Sequence, residues 1–379
     1  MRIVPVAGGK GGVGKSLIAA NLAVALSREG KRVILADLDL GGSNLHLILG
    51  MRNLKHGIGT WLSHSRRPLE EIMVETGYSG LRFIAGDAEI AGIANLPASQ
   101  KNMLIRRLAE LDADFLILDL GAGTHFNVLD FFLISGRGIV ATTPTPTATV
   151  NAYLFLKNAV FRLIQISLPR KSTAGEYLAS LHKQKDSLRH ASIPQLMANI
   201  GQVDPHSFDG LRARMQGFRP RLILNMLEDP EDAEKVNGLR RSCQQYLGIE
   251  LEHLGIIYRD DIQDTALSSG LPVLVYKPRA VLSQAVARIA AKMVQLDRDG
   301  EPETWPAIDA GYREAGLEAE ADFAGKIDYV QDLMNSGALS TGDLIETIRS
   351  QQIEISHLRK QNTFYKTRLV QAIQQGYTR

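Results

Sequence analysis

The amino-acid sequence predicts an α/β protein with a doubly wound, mostly parallel sheet. Two observations predict it: short apolar runs alternate with stretches of helical periodicity, and a glycine-rich loop joins the first run to the first helix. The runs lack polar alternation, as expected of strands that helices cover on both faces. The predicted strands cover residues 2–7, 32–36, 81–85, 115–118, 138–142, 221–224, 251–257 and 272–275. They place one domain over residues 1–297.

Length and composition set broad limits on the protein. Its 379 residues exceed what one compact core usually needs, so we expect a large domain with an appendage. A formal net charge of +2 gives the whole chain no preference for nucleic acid or membrane. The single cysteine, Cys243, excludes an intrachain disulfide and a cysteine-type zinc cluster, and it suits a reducing compartment.

The pattern of the chain contains no targeting signal that we recognise. The amino terminus runs directly into the glycine-rich loop, without the apolar stretch and cleavage site of a secretory signal. No window approaches the roughly 20 apolar residues that a membrane-spanning helix needs. We therefore expect a cytoplasmic protein.

Two segments depart from the alternation of strands and helices. Residues 163–219 are long for a connection and carry an excess of Arg and Lys over Asp and Glu. They fit either a solvated helical insertion or a surface that binds a partner or a polyanion such as DNA. After a linker at 298–306, residues 307–379 are predicted to form a helical tail.

The tail has a heptad pattern, which predicts a possible coiled coil over residues 344–372. One core position holds Ile348, Ile355, Asn362 and Leu369, and the other holds Leu344, Gln351, Leu358, Tyr365 and Ala372. A lone Asn at a core position fixes the register of two helices in a coiled coil. Self-pairing or pairing with a partner helix is one interpretation, and an amphipathic helix packed on the domain is the other.

The glycine-rich loop matches the phosphate-binding pattern Gly-x-x-x-x-Gly-Lys-Ser. Because the loop leaves a buried strand and enters a helix, backbone N–H groups and the positive helix end point at one spot. Lys15 would reach the β- and γ-phosphates, and the Ser16 hydroxyl would bind Mg²⁺. The predicted nucleotide-binding residues of this loop are Gly11, Gly12, Val13, Gly14, Lys15 and Ser16.

The same segment also satisfies the dinucleotide-binding fingerprint. Gly9, Gly11 and Gly14 form Gly-x-Gly-x-x-Gly, and an acid, Asp37, follows the second strand. An enzyme that binds NAD is therefore the rival interpretation. A Lys-Ser pair at the start of the helix has no role in a dinucleotide site, which favours the phosphate loop of a P-loop fold.

The segment from Lys10 to Ser16 resembles the deviant Walker A loop of the MinD/ParA ATPases. The neighbouring motifs look closest to the MinD/FlhG type. In that family a signature lysine, here Lys10, crosses a dimer interface to the partner's nucleotide. The resemblance covers about residues 1–297 without the insertion. It implies ATP and Mg²⁺ as cofactors, an ATP-dependent homodimer, and slow regulatory hydrolysis that positions or regulates a cellular structure through partner proteins.

The resemblance also implies roles for single residues. Asp39, in Asp-Leu-Asp-Leu-Gly, would orient the attacking water, and Asp37 would lie near the magnesium together with Asp119, which ends the strand Phe-Leu-Ile-Leu-Asp. Asn225 ends a strand similar to the one whose Asn reads the adenine edge. The predicted catalytic residues are thus Lys10, Lys15 and Asp39, and the predicted metal ligands are Ser16, Asp37 and Asp119. Tyr258 departs from the family, which usually has proline there.

Three classes of function compete at this stage. An ATP-driven dimerisation switch is the leading hypothesis, with a second copy and an unidentified protein, bound through the tail or the insertion, as partners. An enzyme of ligand chemistry or iron–sulfur assembly is disfavoured because the chain lacks Cys-x-x-Cys. A DNA-binding partitioning ATPase would use the basic insertion, which is a weak signal. The tail does not support peripheral membrane contact.

Overall fold

A computed structural model describes residues 1–40, 42–52, 54, 56–63, 68–86, 96–183, 192–298, 305–335 and separate positions between 342 and 368. The chain forms two compact units, Met1–Phe323 and Ala324–Arg379. In the second unit the described positions beyond 341 are helical, and the rest of the predicted coiled coil lies outside the described residues. Within the described part of the chain, no helix is both long enough and apolar enough to cross a bilayer.

The first unit is built on an eight-stranded sheet with the order β3-β4-β2-β5-β1-β6-β7-β8. The strands are β1 (Arg2–Ala7), β2 (Val33–Leu38), β3 (Met73–Glu75), β4 (Leu81–Ile84), β5 (Phe115–Leu120), β6 (Ile139–Thr142), β7 (Arg221–Leu227) and β8 (Glu252–Tyr258). All neighbours pair in parallel except β3 and β4. The predicted fold class is therefore confirmed.

Helices cover both faces of this sheet. The α-helices are α1 (Lys15–Arg28), α2 (Leu45–Ile48), α3 (Ile58–Ser63), α4 (Ala98–Glu110), α5 (Phe126–Phe132), α6 (Pro146–Ser167), α7 (Thr173–Lys183), α8 (Ile193–Val203), α9 (Pro205–Gly217), α10 (Asn237–Ser242), α11 (Ile262–Ser268), α12 (Val273–Tyr276), α13 (Val281–Arg298) and α14 (Trp305–Asn335). Short 3₁₀ turns occupy Leu69–Ile72 and Pro230–Val236, and a π turn occupies Cys243–Leu247.

Side chains alternate between two buried clusters along each strand. On β2, for example, Val33 and Leu35 pack with α1, whereas Ile34 and Ala36 pack on the opposite face with α4. Six consecutive buried residues in β2 and in β5 follow from this double coverage. The central strands are thereby fixed in register, and Asp37 of β2 lies directly opposite Asp119 of β5.

Seven predicted strands are strands in the structure, and the eighth prediction is wrong. Residues 272–275 are not a strand: Val273–Tyr276 is a helical turn, α12, that follows Pro272. A four-residue apolar run does not distinguish a buried strand from a buried helical turn. The backbone N–H of Leu274 donates to Oδ1 of Asn21 on α1 (3.2 Å), which holds this turn against the helix instead of the sheet.

The insertion between β6 and β7 is helical wherever it is described. It comprises the end of α6 together with α7, α8 and α9, and residues 184–191 lie outside the described part. Each of these helices places apolar residues in the core of the first unit, including Leu178, Leu196 and Leu211. The insertion is therefore part of the packed body, with exposed basic residues such as Arg170, Lys171 and Arg212 on its outside.

The first compact unit reaches further along the chain than the sequence boundary at 297. Ala315 and Ala319 of α14 are buried, and the Tyr258 hydroxyl at the end of β8 donates to the Ala319 carbonyl (2.8 Å). Near the start of the same strand, the Tyr312 hydroxyl donates to the Leu251 carbonyl (2.8 Å). The first part of the predicted tail thus follows the outermost strand from one end to the other.

Candidate nucleotide-binding site

The glycine-rich loop lies where β1 ends and α1 begins, at the carboxyl edge of the sheet. Gly14 has φ +86° and precedes the first helical residue, Lys15. Gly9 touches the backbone of α6, because a Cβ there would lie 2.0 Å from the Asn151 carbonyl oxygen. Glycine is required at both positions, for conformation at Gly14 and for close approach at Gly9. The resulting geometry is that of a phosphate-binding loop before a helix amino terminus.

The two lysines of this loop have different environments. Lys15 is 7 % exposed and lies near the Asp119 carboxylate, whose charge it partly offsets. Lys10, at the outer side of the loop, is exposed to solvent. Only Lys15 is therefore enclosed in the pocket of its own chain.

Two buried carboxylates lie beside the loop. Asp37 accepts hydrogen bonds from the Ser43 hydroxyl (2.6 Å), the backbone N–H of Asp39 (3.1 Å) and the backbone N–H of Leu45 (3.2 Å). Burial raises the pKa of Asp37, and these three donors lower it in part. Its carboxylate is thus held in one orientation by the loop that follows β2.

Asp119 is the less satisfied of the two acids. Burial, and then the charge of Asp37, raise its pKa to about 7, against a hydrogen bond from Ser16 and the charge of Lys15. Its Oδ1 is buried and has no hydrogen-bond partner among the described residues. An unpaired carboxylate oxygen next to a second acid and a serine hydroxyl is a donor set that suits Mg²⁺. The predicted ligands Ser16, Asp37 and Asp119 therefore fit the metal.

The loops after β2 and β5 meet at Asp39. A Cβ on Gly121 would lie 3.0 Å from Asp39 Oδ1, so the glycine lets the carboxylate lie close to the backbone of the loop after β5. A cavity of about 310 Å³ separates the same two loops from α5, with Asp39 and His125 among apolar walls. Asp39, on the loop after β2, therefore lies against the loop after β5.

Asn225 contacts the phosphate loop. Its side chain is 2 % exposed, and its amide donates to the Val13 carbonyl (2.9 Å). Tyr258, in contrast, is turned away into the contact with α14. The structure adds a role that sequence reasoning did not assign: Ser43 orients Asp37. Thr142, at the end of β6, has a buried Oγ1 without a partner in the described part.

Comparison with known proteins assigns this loop and its acids to a family. A family model described as the CobQ/CobB/MinD/ParA nucleotide binding domain matches residues 4–273. The chain belongs to this family. Membership favours the phosphate-loop interpretation over the NAD-type one, and it places the protein among P-loop ATPases.

Individual relatives agree with this assignment. The chain is 30 % identical over 300 residues to the antiactivator FleN of Pseudomonas aeruginosa, covering 77 % of this chain and 86 % of FleN. It is 32 % identical over 158 residues to the flagellum site-determining protein YlxH of Helicobacter pylori, covering 41 % of this chain and about half (53 %) of YlxH. The septum site-determining protein MinD of Pyrococcus horikoshii, solved with Mg-ADP, shares the fold: its TM-score is 0.54 at 19 % identity, covering 80 % of this chain and 99 % of MinD.

Proposed function

We propose that this protein is an ATP-dependent dimerisation switch. The observation that carries the proposal is that two lysines of one loop differ in their exposure. Lys15 is enclosed beside Asp119, whereas Lys10 is exposed on the outside of the same loop. A lysine that its own pocket does not enclose is available to a nucleotide held by a second copy.

In each subunit the backbone from Gly11 to Ser16 would hold the phosphates, and Lys15 would contact the β- and γ-phosphates. Ser16, Asp37 and Asp119 would hold Mg²⁺ directly or through water. When bound, Mg²⁺ neutralises charge that develops on the phosphate oxygens. Lys10 from the partner would add a second cation at the same place, which stabilises the transition state of phosphoryl transfer.

Asp39 is the residue that we assign to hydrolysis. It lies on the loop after β2, against Gly121 of the loop after β5. A carboxylate at this place can orient a water molecule toward the γ-phosphate. We propose that hydrolysis is slow and that it reopens the dimer, so that its output is a change of partner binding.

The cellular role that we propose is the placement or regulation of a cellular structure. YlxH is named a flagellum site-determining protein and MinD a septum site-determining protein, while FleN is named an antiactivator. A protein that controls where a cellular structure is built, or whether it is built, would be consistent with all three names. Counting flagella and septa in cells that lack this protein tests the role, and unchanged numbers and positions of both would contradict it.

We propose that the helical tail in the second unit binds a partner helix or the tail of a second copy. Its described apolar residues Ile348, Ile355 and Leu358 are 52 %, 47 % and 54 % exposed, and they belong to the predicted heptad seam. Apolar side chains at these spacings stabilise a helix best when another helix covers them.

The mass of the full-length protein in solution tests the switch. With Mg-ATP we expect the wild type to gain mass relative to its ADP form, and Asp39→Ala to keep the larger mass for longer. Lys10→Ala should bind ATP without the gain in mass. Lys15→Ala should bind ATP roughly 10- to 100-fold more weakly, because charge-assisted hydrogen bonds to phosphate are lost.

Lys171→Ala, which removes an exposed lysine of the insertion, is the matched control and should behave as the wild type. A mass that stays the same with ATP and ADP, in both the wild type and Asp39→Ala, would contradict the proposed dimerisation switch. A mass that is already doubled without nucleotide in Lys15→Ala would assign dimerisation to the tail instead.

A further inference from the structure

The carboxyl end of β7 contains a strained bulge. Across the pairing of β7 with β8, Asn225 faces Ile257 and Leu227 faces Tyr258, which leaves Met226 without a partner in the register. Met226 has φ +60°, the one positive φ of a non-glycine residue in the described ranges. The left-handed region costs such a residue roughly 1–2 kcal/mol, so glycine would be the relaxed choice here.

The bulge turns the Met226 side chain toward the phosphate loop. Its Cε lies 3.7 Å from the position that a Cβ on Gly14 would occupy. The neighbours Asn225 and Leu227 are buried, whereas Met226 is partly exposed. A bulge that re-aims one side chain next to an active site is a recurrent use of this feature. The strain at Met226 therefore places an apolar, partly exposed group at the edge of the nucleotide pocket.

Tyr258 does not compete for that position. It is 1 % exposed, its hydroxyl is bonded to the Ala319 carbonyl, and its ring lies 6.1 Å from that of Phe323. The carboxyl end of β8 is thus taken up by the contact with α14. Tyr258 therefore leaves the approach to the loop at the ends of β7 and β8 to the apolar group of Met226.

We propose that Met226 contacts the base of the bound nucleotide by packing its thioether against the purine ring. The inference rests on the proposed nucleotide binding and adds a base-contacting residue to it. A polarisable sulfur makes favourable contacts with aromatic rings, and an unbranched side chain adapts to a flat face. The ligand class is a purine nucleoside triphosphate, with Asn225 holding the loop through Val13.

The test uses two ligands that differ only in whether a nucleoside is present. Calorimetry in the presence of Mg²⁺ would measure binding of ATP and of inorganic tripolyphosphate to the full-length wild type, Met226→Gly and Met226→Leu. Met226→Gly should bind ATP roughly five- to twentyfold more weakly and tripolyphosphate equally well. Met226→Leu, which keeps an apolar group of similar volume, should stay within about threefold of the wild type for ATP.

Thermal unfolding without ligand supplies a second readout. Glycine accepts φ +60° without strain, so Met226→Gly should unfold at the same or a higher temperature than the wild type. Lower ATP affinity together with unchanged stability is the result that a merely structural methionine does not give. If the glycine variant does not fold, Met226→Ala is measured with the same two ligands and the same expected difference.

Three outcomes overturn the inference and are distinguishable. A wild type that does not bind ATP removes the proposed function as well. A wild type that binds ATP no better than Met226→Gly does removes only the base contact. Equal losses of ATP and tripolyphosphate affinity would show that Met226 supports the phosphate loop and does not touch the base.

Discussion

The nucleotide pocket and the outer edge of the sheet arrange charges in opposite ways. In the pocket, Asp37, Asp39 and Asp119 are gathered within one small region, and the pKa of Asp119 is raised to about 7 by burial and by the charge of Asp37. At the outer edge, opposite charges are paired: Arg288 of α13 meets Asp322 (2.6 Å), and Lys292 meets Glu318 (2.5 Å). The pocket gathers like charges that a cation can neutralise, whereas the edge pairs opposite charges within the chain. Because the paired charges join α13 to Glu318 and Asp322, this part of the tail belongs to the folded body.

The largest expected effect comes from cutting the chain at the boundary that the sequence suggested. A protein of residues 1–297 loses all of α14 and exposes Tyr258 and the outermost strand. We expect a loss of more than about 4 kcal/mol in unfolding free energy, because large buried side chains and a strand edge become exposed. Urea unfolding followed by circular dichroism, together with the soluble yield, measures the effect.

The matched truncation keeps residues 1–323 and removes only the second unit. It should unfold with nearly the same midpoint as the full-length protein and should still bind ATP. Equal stability of the 1–297 and 1–323 proteins would contradict the assignment of α14 up to Phe323 to the nucleotide-binding body.

The second effect concerns the crowded acids of the pocket. Without metal, Asp119→Asn should raise the free energy of unfolding at pH 8 by up to about 4 kcal/mol, because the variant no longer buries a charge beside Asp37. The folded-state pKa of Asp119 is about 7, above that of an unfolded aspartate. The destabilisation by Asp119 is therefore present above pH 7 and fades as pH falls toward 4, and the advantage of the variant should fade with it.

Thermal melts in EDTA at several pH values, repeated with Mg-ATP, separate stability from function. The variant should melt higher than the wild type in EDTA and gain less from Mg-ATP. A variant that is less stable at pH 8 in EDTA would show that Asp119 is already compensated in the free protein, and the contrast between the two regions would disappear.

The third effect tests the paired charges of the outer edge. Arg288→Ala leaves the buried Asp322 and the partly buried Glu318 without this partner, and we expect a loss of about 2–3 kcal/mol in unfolding free energy. The surface pair Arg107–Glu110 provides a control, since Arg107→Ala should change stability by less than about 1 kcal/mol. A double-mutant cycle of Arg288 with Asp322 measures the coupling, and a value near zero would mean that packing alone holds α14.

The sequence was most informative where function imposes a local pattern. The loop from Gly9 to Ser16 and the acids Asp37 and Asp119 could be placed together because parallel strands bring their carboxyl ends to one edge of a sheet. This relation between strand ends and the pocket follows from the topology and needs no knowledge of distant contacts. This is why the fold class and the grouping of the loop with these acids were accessible.

Elements fixed by distant contacts were not accessible from local pattern. Val273–Tyr276 became a helical turn because Asn21 on α1 holds its backbone, more than 250 residues away in sequence. The antiparallel β3 is only three residues long, which is too short for alternation to be visible. The contact of Tyr258 with α14 could not be predicted, because its partner Ala319 is far away in sequence. The bulge at Met226 could not be predicted either, because the neighbouring residues do not indicate the register shift.

The smallest expected effect is that of a substitution at Tyr258, at the end of β8, which tests both regions. Tyr258→Phe keeps the ring and removes the hydroxyl that donates to the Ala319 carbonyl, so we expect a loss of about 1 kcal/mol in unfolding free energy. ATP affinity should not change, because the hydroxyl is directed into α14 and away from the phosphate loop. Chemical denaturation and calorimetry on the same samples measure both quantities. If the variant instead keeps its stability and binds ATP more weakly, Tyr258 belongs to the pocket, and the apolar contact with the base has to be shared between Tyr258 and Met226.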